Sequence, residues 1–501
     1  MSNQMMNLLQ SIDARTGQRV GEPWPASTPA QIDAAVASAA LAAEPWAASD
    51  GATRAKLLRD LADALEAARD TLVPLADRES GLGLPRLNGE LDRTAFQLRG
   101  FADVAERGDA FAVVDDAAVA GAPPAGRPRL TRVRVPLGPV AMFSASNFPF
   151  AFSVLGGDTA SALTAGCPVV VKGHPAHPEL SRQTIALAQR VVADMGLPDG
   201  LIGFVEGASV ETGVKLVQAE PIAAVAFTGS FKGGTALAKV ATERARPIPF
   251  YGELGSVNPV IVLPSALQEH GAALAQTLAA SICVGSGQFC TSPGVIVLAK
   301  DAAGDAFVAE LASQLAGLAP HAMLTAGIRS AFDQSVARWQ GIAGLRPLVA
   351  EIARAGSTPR PYLAEVDWAD FITTPALHEE VFGSAALVVR VDTPAQATDV
   401  LRAIGGSLTV TLWGIDPGTT LPDAPTRALV RAATQAAGRV LFSGVPTGVA
   451  VTAAQHHGGP YPASTAPATT SVGYAALERF LRPVALQDAP AWLIAREGVP
   501  C

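Results

Sequence analysis

Residues 140–147 read Val-Ala-Met-Phe-Ser-Ala-Ser-Asn, a short apolar run that stops at a polar turn. The pattern returns at Val169-Val-Val-Lys-Gly-His174, at Gly203-Phe-Val-Glu-Gly207 and at Ala223-Ala-Val-Ala-Phe-Thr-Gly-Ser230. Apolar runs this short, without polar alternation, suit strands buried on both faces. Between them, Pro178 to Met195 has helical spacing, with an acid near its start and Arg190 near its end. Strands alternating with helices predict an α/β fold, a doubly wound parallel sheet covered by helices on both faces. Ligands of such sheets bind beyond the carboxyl ends of the strands. The turns Ser144–Asn147, Lys172–His174, Glu206–Gly207 and Thr228–Ser230 therefore mark where chemistry is expected.

Outward from this block, the first hundred residues read as helical. From Arg54 to Leu75, Leu57, Leu58, Leu61, Leu65 and Leu72 fall on one helix face, with Asp60, Glu66 and Asp70 on the wet side. A loop rich in Ala, Gly and Pro follows, 117–128, and then a strand, Leu130 to Val135. A second α/β region runs from about Val257 to Phe442. The stretch Gly458 to Thr470, rich in Gly, Pro, Ser and Thr, reads as a long surface loop.

The chain has 501 residues, 49% of them hydrophobic and 16% charged, which excludes disorder and requires more than one core. A formal net charge of −8 without any Lys/Arg block gives no support for a nucleic-acid partner. No secretory signal and no membrane span is read, since the apolar stretch Val154 to Val171 is broken by Asp158, several Gly and Pro168. The four cysteines, Cys167, Cys283, Cys290 and Cys501, make neither a disulfide framework nor a zinc pattern. Free thiols in a reducing cytoplasm, and no metal, are the expectation.

Three residues carry candidate chemistry. Cys290, in Gly285-Ser-Gly-Gln-Phe-Cys290, follows an apolar helical segment and two glycines that let backbone approach a ligand. A lone cysteine is more often a small core residue, the role left to Cys167 and Cys283. Glu253, in Phe250-Tyr-Gly-Glu-Leu-Gly255, is a carboxylate in an apolar run, where burial would raise its pKa toward that of a general base. A solvated acid on a turn is the alternative. Asn147 ends a strand and is either an oxyanion donor or a turn residue.

Their joint occurrence changes the reading. Asn147-Phe-Pro149, Phe227-Thr-Gly-Ser230, Glu253-Leu-Gly255, Gly287-Gln-Phe-Cys290 and Glu380-Val-Phe-Gly383 resemble, in order and spacing, the motifs of the aldehyde dehydrogenase superfamily. The resemblance implies two Rossmann-like domains with a small β element. An NAD(P)-binding domain would span 1–127 and 138–254, a catalytic domain 255–447, and a bridging or oligomerisation element 128–137 and 448–501. It further implies Cys290 as nucleophile, Glu253 as base, and Asn147 with the Cys290 backbone N–H as oxyanion hole. Gly229, Ser230 and Gly234 would open a helix facing the coenzyme pyrophosphate. Lys172 would hold the adenosine ribose, Glu380 the nicotinamide ribose, and Phe382 would pack beside the ring. Phe148, Phe152 and Leu155, in the helix expected after Asn147, would wall the aldehyde tunnel or be ordinary core.

NAD-preferring relatives often carry Glu three residues after the position of Lys172. Pro175 stands there, preceded by His174, so nothing repels a 2′-phosphate and NADP is expected to work at least as well as NAD. The stretches Gly156–Ser161, Gly166–Pro178, Pro446-Thr-Gly-Val449 and Glu478-Arg-Phe-Leu-Arg-Pro483 are similar to the branch containing 2,5-dioxovalerate (α-ketoglutarate semialdehyde) dehydrogenases, which also holds an NADP-dependent fatty-aldehyde enzyme. The expected reaction is oxidation of 2,5-dioxopentanoate to 2-oxoglutarate through a thioester. A fatty-aldehyde dehydrogenase, a CoA-acylating enzyme and a silent binding protein are the alternatives. Edge strands near Leu130–Val135 and Pro483–Leu486 imply a homodimer or homotetramer.

Overall fold

A computed structural model describes residues 8–350 and 358–494; Cys501 lies outside them. The N-terminal segment is not all helix. Strands β1 (Leu8–Ile12) and β2 (Arg19–Pro25) form an antiparallel hairpin with a bulge, too short and irregular to show a period. Helix α1 (Pro29–Ala47) follows, and the predicted amphipathic helix is two, α2 (Gly51–Ala67) and α3 (Arg69–Ser80), broken at Ala68. Helix α4 (Leu84–Arg107) completes this layer.

Strand β3 (Val114–Asp116) and strand β4 (Leu130–Pro136), the latter as read from the sequence, belong to a small antiparallel sheet. Next come β5 (Val140–Phe143), helix α5 (Gly157–Ala165), β6 (Val169–Lys172), helix α6 (Pro178–Asp194) and β7 (Ile202–Val205). Helix α7 (Val210–Gln218), β8 (Ala224–Thr228), helix α8 (Phe231–Glu243) and β9 (Phe250–Glu253) end the block. Its five strands form one parallel sheet in the order β7-β6-β5-β8-β9. Side chains alternate between two cores. Val140 and Met142 join residues of α2, α4 and α6 on one face, while Ala141 and Phe143 join α1, α7 and α8 on the other.

The second region is a seven-stranded sheet. Its strands are β10 (Val260–Val262), β11 (Val295–Ala299), β12 (Arg346–Val349), β13 (Tyr362–Asp367), β14 (Ala385–Val391), β15 (Ser407–Trp413) and β16 (Ala437–Leu441). Their order is β12-β13-β14-β11-β10-β15-β16, parallel except for β12 against β13. Helix α9 (Pro264–Cys283) connects β10 toward β11. The last strand, β17 (Leu481–Gln487), returns to pair with β4, and the small sheet runs β17-β4-β3. The architecture is α/β and Rossmann-like. Among the described residues no helix is long and apolar enough to cross a membrane.

Two expectations about irregular chain are corrected. Phe148 to Leu155 is a series of turns, not helix, because the Glu90 carboxylate accepts from the N–H groups of Phe150 and Ala151 at 2.8 and 3.0 Å. The stretch Gly458–Thr470 is not simply a surface loop. It runs beside β9, with Leu254 N–H bonded to Ala463 O and Thr465 N–H to Gly252 O, and Ala463 and Ser464 are buried.

Candidate active site

Strand β9 ends on Glu253, beside Thr228 at the end of β8. Its side chain is buried but not isolated. Oε1 lies 3.1 Å from Nε2 of His457, and Oε2 accepts from the Ser471 hydroxyl. Desolvation pushes the carboxyl pKa up, yet contacts with His457, Ser471 and Cys290 outweigh it and leave the group below its ordinary value. Burial therefore does not raise the pKa here, contrary to the expectation from the apolar run. The carboxylate is ionised at neutral pH.

Cys290 follows the turn after α9. Gly285, Ser286 and Gly287 are consecutive left-handed residues, which reverse the chain. A Cβ on Gly287 would meet the backbone of Gly383 at 2.2 Å, so the two motif glycines let two backbones touch. Gln288 pins the turn, bonding Gly285 O and the N–H of Leu324. Asn258 holds the far side, its amide donating to Cys290 O at 2.9 Å and Ser292 O at 3.0 Å. The thiol is 3.5 Å from His457 Nε2. The ligand-type atoms of Glu253, Cys290 and His457 all lie within 4.8 Å of one another. Burial, with the Glu253 charge behind it, raises the thiol pKa well above its usual value.

Asn147 comes to the same place. Its amide donates to Gln288 O at 2.9 Å, which fixes the side chain two residues from the thiol. An amide nitrogen has two hydrogens, so one remains for an oxygen at the reacting carbon. Arg86 donates to Asn147 O at 2.7 Å, and His177 bonds Ala145 O at 2.9 Å, bracing the loop from both sides.

His457 was not legible in the sequence: it sits in the Gly/Pro-rich tail, 204 residues from Glu253. The adjacent pair His456-His457 was the only available signal. Asn258 and Ser471 were missed for the same reason, since each is an ordinary polar residue until the fold brings it in.

The remaining candidates separate into groups. Glu380 and Phe382 line one cleft with Phe289, Gly287 and Ser256. Burial pushes the Glu380 carboxyl up to about 7, against a bond from the Ser256 backbone. His174 and Pro175 line a second hollow with Gly173, Glu206 and Gly207. Lys172, the last residue of β6, has no ion-pair partner among the described residues, and burial alone brings its ammonium down to about 8. His174 is held neutral, chiefly by burial, with Nδ1 accepting from Ala176 N–H. Ser230 caps α8 by accepting from Gly233 N–H at 3.2 Å and is exposed, while Gly229 and Gly234 pack against Phe227 and Leu254. Phe148 and Phe152 are half-buried and stack at 5.3 Å, with Phe289 5.1 Å from Phe148. Leu155 is 1% exposed, within the core around α2, α4 and α6, which agrees with the ordinary-core alternative that the sequence left open for it.

The model of the Aldehyde dehydrogenase family matches residues 2–421. The chain is 40% identical to Alpha-ketoglutaric semialdehyde dehydrogenase 2 of Azospirillum brasilense, covering 96% of this chain and 91% of that protein. It is 38% identical to Alpha-ketoglutaric semialdehyde dehydrogenase of Acinetobacter baylyi (98% and 93% covered). The crystal structure of PnpE from Pseudomonas sp. WBC-3 shares the fold at TM-score 0.80 and 21% identity, covering 99% of this chain and 95% of that one. A thiol, a carboxylate and an amide gathered at the strand ends, and relatives matching over nearly the whole length, lead to one conclusion: the chain belongs to the aldehyde dehydrogenase family, enzymes that oxidise aldehydes with NAD(P).

Proposed function

We propose that this enzyme oxidises 2,5-dioxopentanoate to 2-oxoglutarate through a thioester on Cys290, with water as the final acyl acceptor. The observation that carries the chemistry is the contact of the Cys290 thiol with His457 and Glu253 beside the Asn147 amide. The two semialdehyde dehydrogenases of high identity support the substrate.

The residues divide the work as follows. The thiol does not ionise unaided, so its proton must leave as sulfur attacks the aldehyde carbon. The Glu253 carboxylate, in contact with the thiol, takes it and passes it to solvent, while His457 Nε2 donates to that carboxylate and holds it in place. The negative charge developing on oxygen is met by the second Asn147 hydrogen and the Cys290 backbone N–H. One such donor is worth roughly 3 kcal/mol of barrier. Collapse of the thiohemiacetal leaves a thioester. Once that proton has left, Glu253 takes a proton from water, whose oxygen adds to the acyl carbon and expels the Cys290 thiolate. Ser471 and His457 keep the carboxylate aimed. A base at this position also favours water over CoA as acceptor.

The chain has the groups a dinucleotide needs. Lys172 offers an ammonium without an ion-pair partner among the described residues, the start of α8 offers free N–H groups behind Gly229 and Ser230, and Glu380 stands in the cleft beside Phe382. Lys172 and Glu380 would hold the two riboses and α8 the pyrophosphate; when bound, the nicotinamide supplies the hydride acceptor. NADP is proposed to serve at least as well as NAD. Pro175 brings no carboxylate, and Glu206 in that hollow is already engaged by Trp24 at 3.0 Å and by Arg182 at 3.7 Å.

The five-stranded region is proposed as the coenzyme domain and the seven-stranded region as the catalytic one. The exposed edge of β17 is proposed as the contact of a homodimer or homotetramer. The test is a panel of 2,5-dioxopentanoate, pentanal and a long aliphatic aldehyde, assayed with each coenzyme. The proposal requires the highest kcat/KM for 2,5-dioxopentanoate, and no tenfold preference for NAD. A preference for the long aldehyde assigns the enzyme to fatty aldehydes instead.

A further inference from the structure

Helix α4 carries a row of polar side chains, Arg86, Glu90, Arg93 and Gln97, that recur every three or four residues on one face, and the first three lie near the site. Arg86 braces Asn147, and its guanidinium lies 5.0 and 4.7 Å from the ring centres of Phe148 and Phe289. Glu90 ties the turn at Phe150 and Ala151. Arg93 has no comparable engagement. Among the described residues no carboxylate lies within ion-pair distance of it, and its Nη1 is buried without a hydrogen-bond partner. Nη2 reaches only the carbonyl of Val449, at 3.5 Å. A guanidinium has five N–H donors, and one left desolvated and unbonded is disfavoured. The Glu90 charge acts on Arg93 but is shared with Arg86, and among the described residues Nη1 is left open to a further acceptor.

The position of Arg93 says which acceptor. The guanidinium lies over the ring of Phe152, 5.4 Å from its centre. Phe152 stacks on Phe148, and Phe148 on Phe289, the neighbour of Cys290. The three rings make an apolar path between the cation and the thiol. The charge of Arg93 acts first on Glu90, and it reaches Cys290 and Glu253 as well. On its other side the turn Pro446–Val449 is fixed by Arg439, which donates to Pro446 O and Gly448 O.

We propose that Arg93 receives the distal carboxylate of the aldehyde, and so selects short ω-oxo acids over neutral aldehydes of equal length. The inference rests on the reaction at Cys290 proposed above and adds its specificity residue. The planar fork matches a carboxylate with two parallel bonds, and the Val449 carbonyl holds one edge of the fork in place. The aromatic path covers the methylene groups between carboxylate and aldehyde. Arg93 makes or breaks no bond. It fixes which end of the substrate faces the thiol.

The experiment measures kcat/KM for 2,5-dioxopentanoate and for pentanal in the wild type, Arg93→Met and Arg93→Lys. The wild type is expected to prefer the acid. Arg93→Met should reduce the ratio of the two kcat/KM values about 100-fold, mainly through KM, with Arg93→Lys recovering part of it. A second reading needs no turnover: 2-oxoglutarate alone should protect Cys290 from iodoacetamide in the wild type and fail to do so in Arg93→Met. A ratio unchanged in Arg93→Met, or a wild type that prefers pentanal, overturns the role of Arg93 and leaves oxidation at Cys290 standing. A wild type that oxidises no aldehyde overturns the underlying reaction as well.

Discussion

The Cys290 thiol sits where burial and the Glu253 charge both oppose its ionisation, so attack requires a proton acceptor within reach. Glu253 is the group that meets this need, and His457, 3.5 Å from the sulfur, holds its carboxylate through Nε2. His457→Ala, which removes the N–H that holds the carboxylate, should lower the rate of iodoacetamide labelling and of the hydride burst by about 10-fold, the range of a hydrogen bond to a charged group. Equal labelling rates in variant and wild type would remove His457 from the mechanism. Cys290, Glu253 and Asn147, which the fold brings together, each had an ordinary structural reading alone and stood out in the sequence only through the joint order of their motifs. His457 did not stand out, because a histidine in a loop of small residues has no periodic or compositional context until Ser471 and Thr470 bond its backbone into the site. Lys172 gives a pH dependence. Its ammonium is lowered to about 8 in the free protein, so it is charged below that pH and neutral above. A bound anion restores the charge, which makes coenzyme binding take up a proton at higher pH. KM for NADP should therefore rise above pH about 8, and Lys172→Met should flatten the profile. A KM constant from pH 7 to 10 in the wild type would contradict this.

At the scale of elements, the parallel strands were legible because both faces of each are covered. Val169, Val170 and Val171 all read as apolar for that reason. The N-terminal hairpin escaped, since β1 and β2 gain much of their hold from distant partners, such as Trp24 on Glu206 and Ala14 on Arg78. The turns at Phe148–Leu155 escaped too, because a buried Glu90 on another helix takes their N–H groups. The sharpest element-scale requirement is at Gly287. There a left-handed φ of 69° coincides with backbone contact to Gly383, joining the thiol's turn to the loop that carries Glu380. Gly287→Ala should destabilise the protein by about 3 kcal/mol or more, through strain and overlap together. Urea unfolding measures it, and a loss under about 1 kcal/mol would show that the two loops separate easily.

Across the whole molecule, the tail is what completes the site. Residues after 450 supply His457 and Ser471, pass beside β9, and end in β17 paired with β4. Arg479 forms a buried ion pair of 2.6 Å with Asp158 on α5, across 321 residues of sequence. Both belong to stretches that resemble the same branch in the sequence, and here the two are in contact. Removing one partner leaves a buried charge, so Arg479→Met should cost about 3–5 kcal/mol. Arg479→Met with Asp158→Asn should recover part of that loss, as measured by urea midpoints. A single variant as stable as the wild type would mean that the tail is held by its strand pairing alone. The sequence could place the tail in a β element, but not over the thiol, because its Gly- and Pro-rich composition records turns and not what the turns enclose.

The most direct test of covalent catalysis is mass spectrometry of the Glu253→Gln enzyme mixed with 2,5-dioxopentanoate and NADP and quenched in acid within the first turnover. The account predicts one hydride equivalent reduced per active site, and an acyl mass on the peptide carrying Cys290. Continued turnover with no adduct on that peptide would contradict it.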